Sequence, residues 1–517
     1  MNRQAPRLGI AFIALVMLLT SACSGMSSGA GEGKTLRIAA TFLPVTLDPA
    51  KGIDSVFSFA ETLTRVDDAG EVEPVLLAED PEQESPRTWR LTLRDGITFQ
   101  NGKAADADAV AASLNRAVTE GLAGRTSLPG ARFAADGELE VVATTKTPAP
   151  LLPYTLADIG FAIHDVEVAQ GAGDDPQRWV GEGGFTAPYE VVRFDAREMT
   201  LEAYEDYWQG PPALAEIELT HVPEVQARVA AVQSGQVDIA DGANVPDVVT
   251  AIEGNPSAEL VLSEAPLSSV RVFLNTRTGP LADLDVRRAL TLGLDYEALA
   301  TDFTGGVGEP ATSLLPPDHP MAVAAQRTDP AEAAQLLDDA GWTMGDGGYR
   351  AKDGERLTVT LLGYAERPEF KPLGIGIQSQ LEELGVEVKI VSQPFDYKMY
   401  DDPSTWDLAL YSEYAISPTG APDAYLKTYL ATDGSANLWG VGDPTLDGLL
   451  DQMVASGTDG QRRNLLAEIQ QRTFDQAYVA VLAFERDGAL VSTRWSDYRP
   501  GAGYQYATFD WKTAPAS

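Results

Sequence analysis

In the stretch WRLTLRDGITFQNGK, Trp89 to Lys103, apolar Trp89, Leu91 and Leu93 alternate with Arg90, Thr92 and Arg94, the period of a half-buried strand. Asp95-Gly96 then offers a turn whose glycine tolerates positive φ, Ile97 and Phe99 resume the alternation, and Asn101-Gly102 offers a second turn. The spacing predicts a hairpin with two turn signals. Just downstream, Asp106 is placed to cap a helix with Val110, Leu114 and Val118 on one face.

Working outward, the same change from helical to strand periodicity recurs. Val225, Val229 and Val232 predict a helix stopped at Gly235, after which Val237-Asp238-Ile239 reads as a short strand. Ile377, Leu381 and Leu384 predict another helix, ended by Gly385 and followed by alternating Val386, Val388 and Ile390. Asp329-Pro330 marks a helix start, with Leu336, Leu337 and Ala340 apolar and Gly341 as its stop. Leu36 to Ala40 reads as a first strand. Helices alternating with strands imply a sheet covered by helices, the α/β class.

The N-terminus has a different logic. Arg3 and Arg7 precede an almost wholly apolar run from Leu8 to Leu19, then small residues and Cys23, the single cysteine in 517 residues. The run is too short to span a bilayer comfortably. Leu19-Thr20-Ser21-Ala22-Cys23 resembles the lipobox of bacterial lipoproteins, which implies a signal peptide over residues 1–22 and lipid attachment at Cys23. Residues 23–34, rich in Gly and Ser, read as a flexible tether. Gly31-Glu32-Gly33-Lys34-Thr35 imitates the end of a phosphate-binding loop, but the first glycine position holds Ser28 and no strand precedes it.

With 76 acidic and 38 basic residues the net charge is −38, which argues against nucleic-acid binding. An apolar content of 44% is that of a globular chain long enough for two or three domain-sized bodies. Histidines 164, 221 and 319 have no partner at metal-ligand spacing, and no G-x-S-x-G elbow is present. Acidic pairs such as Asp338-Asp339, Glu382-Glu383 and Asp401-Asp402 lie on apparently solvated faces. An exported carboxylate-only hydrolase and a surface adhesin both stay open on the residues alone.

Several blocks share one family resemblance. Pro74 to Glu79, Trp89 to Lys103, Ala107 to Val110 with Ser113 to Ala117, Tyr204 to Gly210, Gln233 to Ile239, Val286 to Leu290, Ala334 to Trp342 and Gln380 to Gly385 follow one another in order. Together they resemble the peptide/nickel family of extracytoplasmic solute-binding proteins that serve ATP-driven importers. The resemblance implies a two-lobed periplasmic-binding-protein-like fold of class II type, with an extra subdomain inserted in the first lobe. It places lobe I at 35–270, including the insert at about 75–185, lobe II at 271–484, and a C-terminal return to lobe I at 485–517. It implies a monomeric receptor, not an enzyme, without a cofactor or resident metal. The receptor is lipid-anchored at the extracytoplasmic face and delivers a short peptide, a related carboxylate or a metal chelate to an ABC permease with its ATPase subunits.

For the ligand site, the resemblance aligns Tyr411 to Leu426 with a segment that lines the cleft in relatives, nominating Tyr411, Glu413, Tyr414 and Asp423. Tyr414 falls where relatives carry an aromatic, and Arg125 matches an arginine that holds ligand carboxylates in nickel-chelate binders. Asp423 stands where nickel binders tend toward Asp-Pro-His, and no second arginine is evident from Phe161 to His164. Tyrosine and aspartate are poorer nickel ligands than imidazole. Arg125→Ala is expected to weaken a carboxylate ligand by about 2–5 kcal/mol if the contact is desolvated. Calorimetry showing unchanged affinity would remove Arg125 from the site.

Overall fold

The computed structural model describes residues 34–516 apart from 52–56, 68–70, 244–247, 249–251, 253–255, 303–306, 346, 366, 368–369, 415–421, 457–458 and 501–508. Cys23 and the tether lie outside the described residues.

One sheet of eleven strands runs through the molecule. From one edge its order is Glu387–Gln393, Thr358–Tyr364, Leu408–Tyr414, Ala258–Leu274, Val479–Ser492, Ile239–Ala240, Thr35–Ala40, Glu216–His221, Glu198–Ala203 and Tyr189–Phe194, with Gly308–Pro310 beside Val479–Ser492. The two central strands, of 17 and 14 residues, pair antiparallel along nearly their whole length. Register shifts interrupt them between Leu262 and Pro266, between Pro266 and Ser268, and between Val270 and Arg271. Bulges of this kind bend a strand and increase its twist.

Among the described residues there are four apolar clusters, the smallest around Val229, Val232 and Leu490. One gathers Val270 to Phe484, including Phe273 and Trp439, whose rings stack at 3.9 Å. A second joins Leu36, Ile38, Ile217 and Leu219 to the late residues Trp495, Tyr498 and Phe509. A third, from Leu63 to Ile163, belongs to a separate small sheet of four strands with its own helix. The result is an α/β molecule of two lobes with an additional subdomain on the first.

The opening stretch departs from the hairpin expectation. Thr88–Thr92 is a strand, but it pairs with Glu82–Ser85, which lies just upstream, and with Glu140–Thr144, far along the chain, and not with the residues after Gly96. Gly96 has φ +79°, and the chain leaves the sheet there, so Ile97 and Phe99 contribute buried side chains without joining the ladder. The second turn does close on itself: Phe99 N–H donates to Lys103 O at 2.8 Å around Gly102, φ +81°. A local turn signal therefore sets direction, whereas ladder partners are chosen by burial on both sides of Leu91. The cap is as expected, the Asp106 carboxylate accepting from Ala109 N–H at the start of Ala107–Glu120. At the sheet's edge Ile390 is 41% exposed, breaking the alternation that Val386 and Val388 obey.

The subdomain is joined to the first lobe through buried charge. Arg116, on the helix Ala107–Glu120, donates both ends of its fork to Asp48, at 2.7 Å each. Burial works against the Asp48 charge, but the guanidinium more than offsets it and holds the carboxyl below its usual range. Arg116 also donates to His164 Nε2 at 3.1 Å, which leaves the ring proton on Nδ1, directed at Ala162 O at 2.9 Å. Burial pushes the His164 pKa down to about 4. Because the folded pKa lies below the unfolded one, unfolding takes up a proton between them. The contribution of this group is complete above about pH 6.5 and is lost as pH falls toward 4, a span worth roughly 3 kcal/mol. Urea titrations at stepped pH are expected to show this loss, and His164→Gln to flatten it; an unaltered slope in the variant would assign the acid sensitivity elsewhere.

Candidate functional site

The bulged middle of the two central strands brings the lobes together. Across the ladder, Tyr414, Ser268, Glu485 and Gly308 stand in one row, and Glu413, Ser269 and Phe484 in the next. The row sits where the lobe II strands end and the long strands continue into lobe I. The segment 415–421 and the side chains of Glu413, Tyr414 and Asp423 lie outside the described residues.

Arg271 is buried beneath this row, 2% exposed within an otherwise apolar strand. Its Nε donates to Ser269 Oγ at 2.8 Å, its fork to Leu314 O at 3.1 Å, and its guanidinium lies 5.0 Å over the Tyr425 ring. Ser268 Oγ donates to Glu485 at 3.4 Å. Arg486 holds Glu309 at 2.6 Å, tying the long strand to Gly308–Pro310. One residue on, Asp487 N–H donates to Ser263 Oγ at 3.1 Å across the bulge.

Two carboxylates approach each other on the lobe I side. Burial, then the neighbouring negative charge of Asp241, pushes the Asp487 pKa up to about 7, against the opposing pull of the Gly488 N–H and of Arg367 from lobe II. Asp241 is likewise raised by burial, although Arg228 and hydrogen bonds from Gly242 and Thr41 oppose the shift. Arg228 itself spends its donors on the carbonyls of Asp241, Val222, Pro223 and Gly242. The crossing thus carries charged groups from both lobes within a half-buried space, suited to holding a polar ligand or an ion pair that changes with lobe position. Among the described residues no three His, Cys, Asp or Glu side chains converge as a metal would require.

Of the residues nominated from sequence, Tyr411 is 4% exposed, its ring packed among Phe273, Tyr400 and Trp439 in the lobe II core. Arg125 is exposed in the last turn of Leu122–Ser127, a short helix packed on Ala107–Glu120, and makes no ion pair among the described residues. Asp423 is the second residue of the helix Pro422–Leu430. The ladder brings Tyr411, Glu413 and Tyr414 onto one strand; Arg125 belongs to the subdomain. Arg271, Asp241 and Asp487 were missed. Arg271 had a signal, a cation between Val270 and Val272, whereas the two aspartates are 246 positions apart and meet only in the fold.

Comparison with known proteins agrees with this architecture. Residues 71–437 match the family described as bacterial extracellular solute-binding proteins, family 5, middle region. The nickel-binding protein NikA of Staphylococcus aureus is 26% identical over 476 residues, spanning 91% of this chain and 92% of that protein. The oligopeptide-binding protein AppA of Bacillus subtilis is 25% identical, over 82% of this chain and 83% of its own. The structure of NikA from Brucella suis in complex with Fe(III)-EDTA superposes with a TM-score of 0.81 and 22% identity, covering 93% of this chain and all of that one.

Because Asp487 is held above its unfolded pKa, its charge opposes folding as pH rises from about 4 through about 7. Asp487→Asn is expected to raise the melting temperature at pH 8 and to change it little at pH 4. Equal effects at both would show that the carboxylate is not strained by its neighbour.

Proposed function

We propose, on the premise that this chain belongs to the bacterial extracellular solute-binding proteins of family 5, that it captures a small carboxylate-bearing ligand between its lobes and hands it to an ABC permease. The chain binds solute and is not an enzyme. The single observation that carries the reading is the two-lobed sheet whose long central pair passes through the apolar cores of both lobes. We take the lobe crossings to lie near Ser268 to Asn275 and near Phe484 to Gly488, a reading supported by the register shifts at and just before the first of them. Contacts made only with the lobes closed shift the equilibrium toward closure, and apparent affinity falls with the fraction of molecules able to close.

A short peptide is the ligand we favour. In this reading Arg125 serves its terminal carboxylate, and Glu413, Tyr414 and Asp423, at the end of Leu408–Tyr414 and the start of Pro422–Leu430, serve the rest of the ligand. A metal chelate is the second reading, supported by the nickel-binding relative that matches over nine-tenths of both chains. In either case lipid on Cys23 and the tether would keep the receptor at the membrane surface, consistent with no described helix being long and apolar enough to cross a bilayer.

Native mass spectrometry of the receptor purified from its own host is the decisive measurement. A ladder of co-purifying peptide masses is expected; a nickel isotope pattern on a single adduct would replace the peptide with a chelate. Protein that arrives empty and shows no thermal shift with either class would overturn the importer reading.

A further inference from the structure

Away from the crossing, a cavity of about 320 Å³ lies where the first lobe, the subdomain and the C-terminal residues meet. Its size is at the lower end of small-molecule sites. Glu61 lines it, with Tyr207, Trp208, Phe509 and Trp511 as aromatic walls and Arg94 on the subdomain side.

Glu61 is built in rather than incidental. One carboxylate oxygen accepts from the Tyr207 hydroxyl at 2.6 Å; the other accepts from the Thr186 hydroxyl at 3.0 Å and the Trp208 indole N–H at 3.3 Å. A carboxylate has room for about four donors, so three leave one direction open. The cation nearest in sequence, Arg65, is already committed to Glu73 at 2.8 Å. Burial outweighs the three donors and pushes the Glu61 pKa up to about 7, the mark of a charge short of a counter-ion.

The opposite wall has the complementary shortage. Arg94 donates Nε to Val75 O at 2.8 Å and lies 5.2 Å over the Trp208 ring, and among the described residues no carboxylate pairs with it. The second tryptophan is fixed by a chain of hydrogen bonds: Trp511 Nε1 donates to Gln209 at 3.0 Å, and Gln209 donates to the Tyr207 hydroxyl at 3.0 Å. Both indole N–H groups are engaged, and a cation already lies over each ring, Arg94 over Trp208 at 5.2 Å and Lys512 over Trp511 at 4.9 Å.

We propose that this cavity binds a small zwitterion of the α-amino acid class, its ammonium on the open side of the Glu61 carboxylate and its carboxylate on the Arg94 fork. Arg65, Asp510 and Lys512 line the cavity as well, so charges of both signs face it; a zwitterion meets both signs where a simple anion or a simple amine meets one. The site is separate from the inter-lobe cleft and makes the receptor responsive to a second solute.

Isothermal titration of the full chain with each protein amino acid, then with the decarboxylated and deaminated forms of the best binder, tests this. One saturable site is expected, weakened by at least about tenfold on losing either end of the ligand and likewise in Glu61→Gln and in Arg94→Gln. Arg125→Ala is expected to leave it unchanged. No amino acid binding in the millimolar range, equal binding of the truncated forms, or affinity untouched by Arg94→Gln overturns the proposal. Arg94 is partly exposed, so that variant serves if Glu61→Gln does not fold. Because the cleft ligand is measured independently, failure here leaves the importer reading standing, and the reverse.

Discussion

The antiparallel pairing of Ala258–Leu274 with Val479–Ser492 is the constraint on which the rest of the structure depends. Each strand contributes one half to each lobe, so the two apolar cores are sewn to a common backbone ladder. Because backbone hydrogen bonds tolerate bending where a bulge interrupts them, the same pair can be continuous and still be the place where the lobes turn. The shifted register between Leu262 and Ser268 concentrates that freedom in a few residues.

Charge is distributed in keeping with this division of labour. Inside the first lobe and its subdomain, Asp48, Arg116 and His164 are linked by hydrogen bonds, and burial, with the guanidinium beside Nε2 adding to it, holds the histidine neutral. Such a network favours a fixed joint. At the crossing, Asp241 and Asp487 are placed together with less compensation, and the cation that opposes the Asp487 shift, Arg367, comes from the other lobe. Across the hinge proposed here, a charge partly balanced from the other lobe would couple electrostatics to lobe position; one balanced within a lobe would not.

Membership in a solute-binding family states the kind of work, and the side chains that select the solute are a separate matter. Relatives of nearly equal identity are named for nickel and for oligopeptides, so the scaffold accepts very different ligands. In this chain Glu413 and Tyr414 end the strand Leu408–Tyr414, and Asp423 stands at the start of the helix Pro422–Leu430. Loops held by a rigid sheet can change chemistry without disturbing the core.

The amino-acid sequence by itself determined the α/β class, the helix starts at Asp106 and Asp329 and the helix stops at Gly235 and Gly341, because caps, glycine turns and periodicity act over a few residues. The ordered blocks also sufficed to identify the family. Tertiary structure alone decided which strands pair, so Leu91 found Val141 rather than the neighbouring Ile97. It also buried the Tyr411 ring and joined Glu61 to Tyr207 and Asp241 to Asp487. These are contacts between residues far apart in the chain, and their energies depend on burial and on the charges around them, which have no local signature.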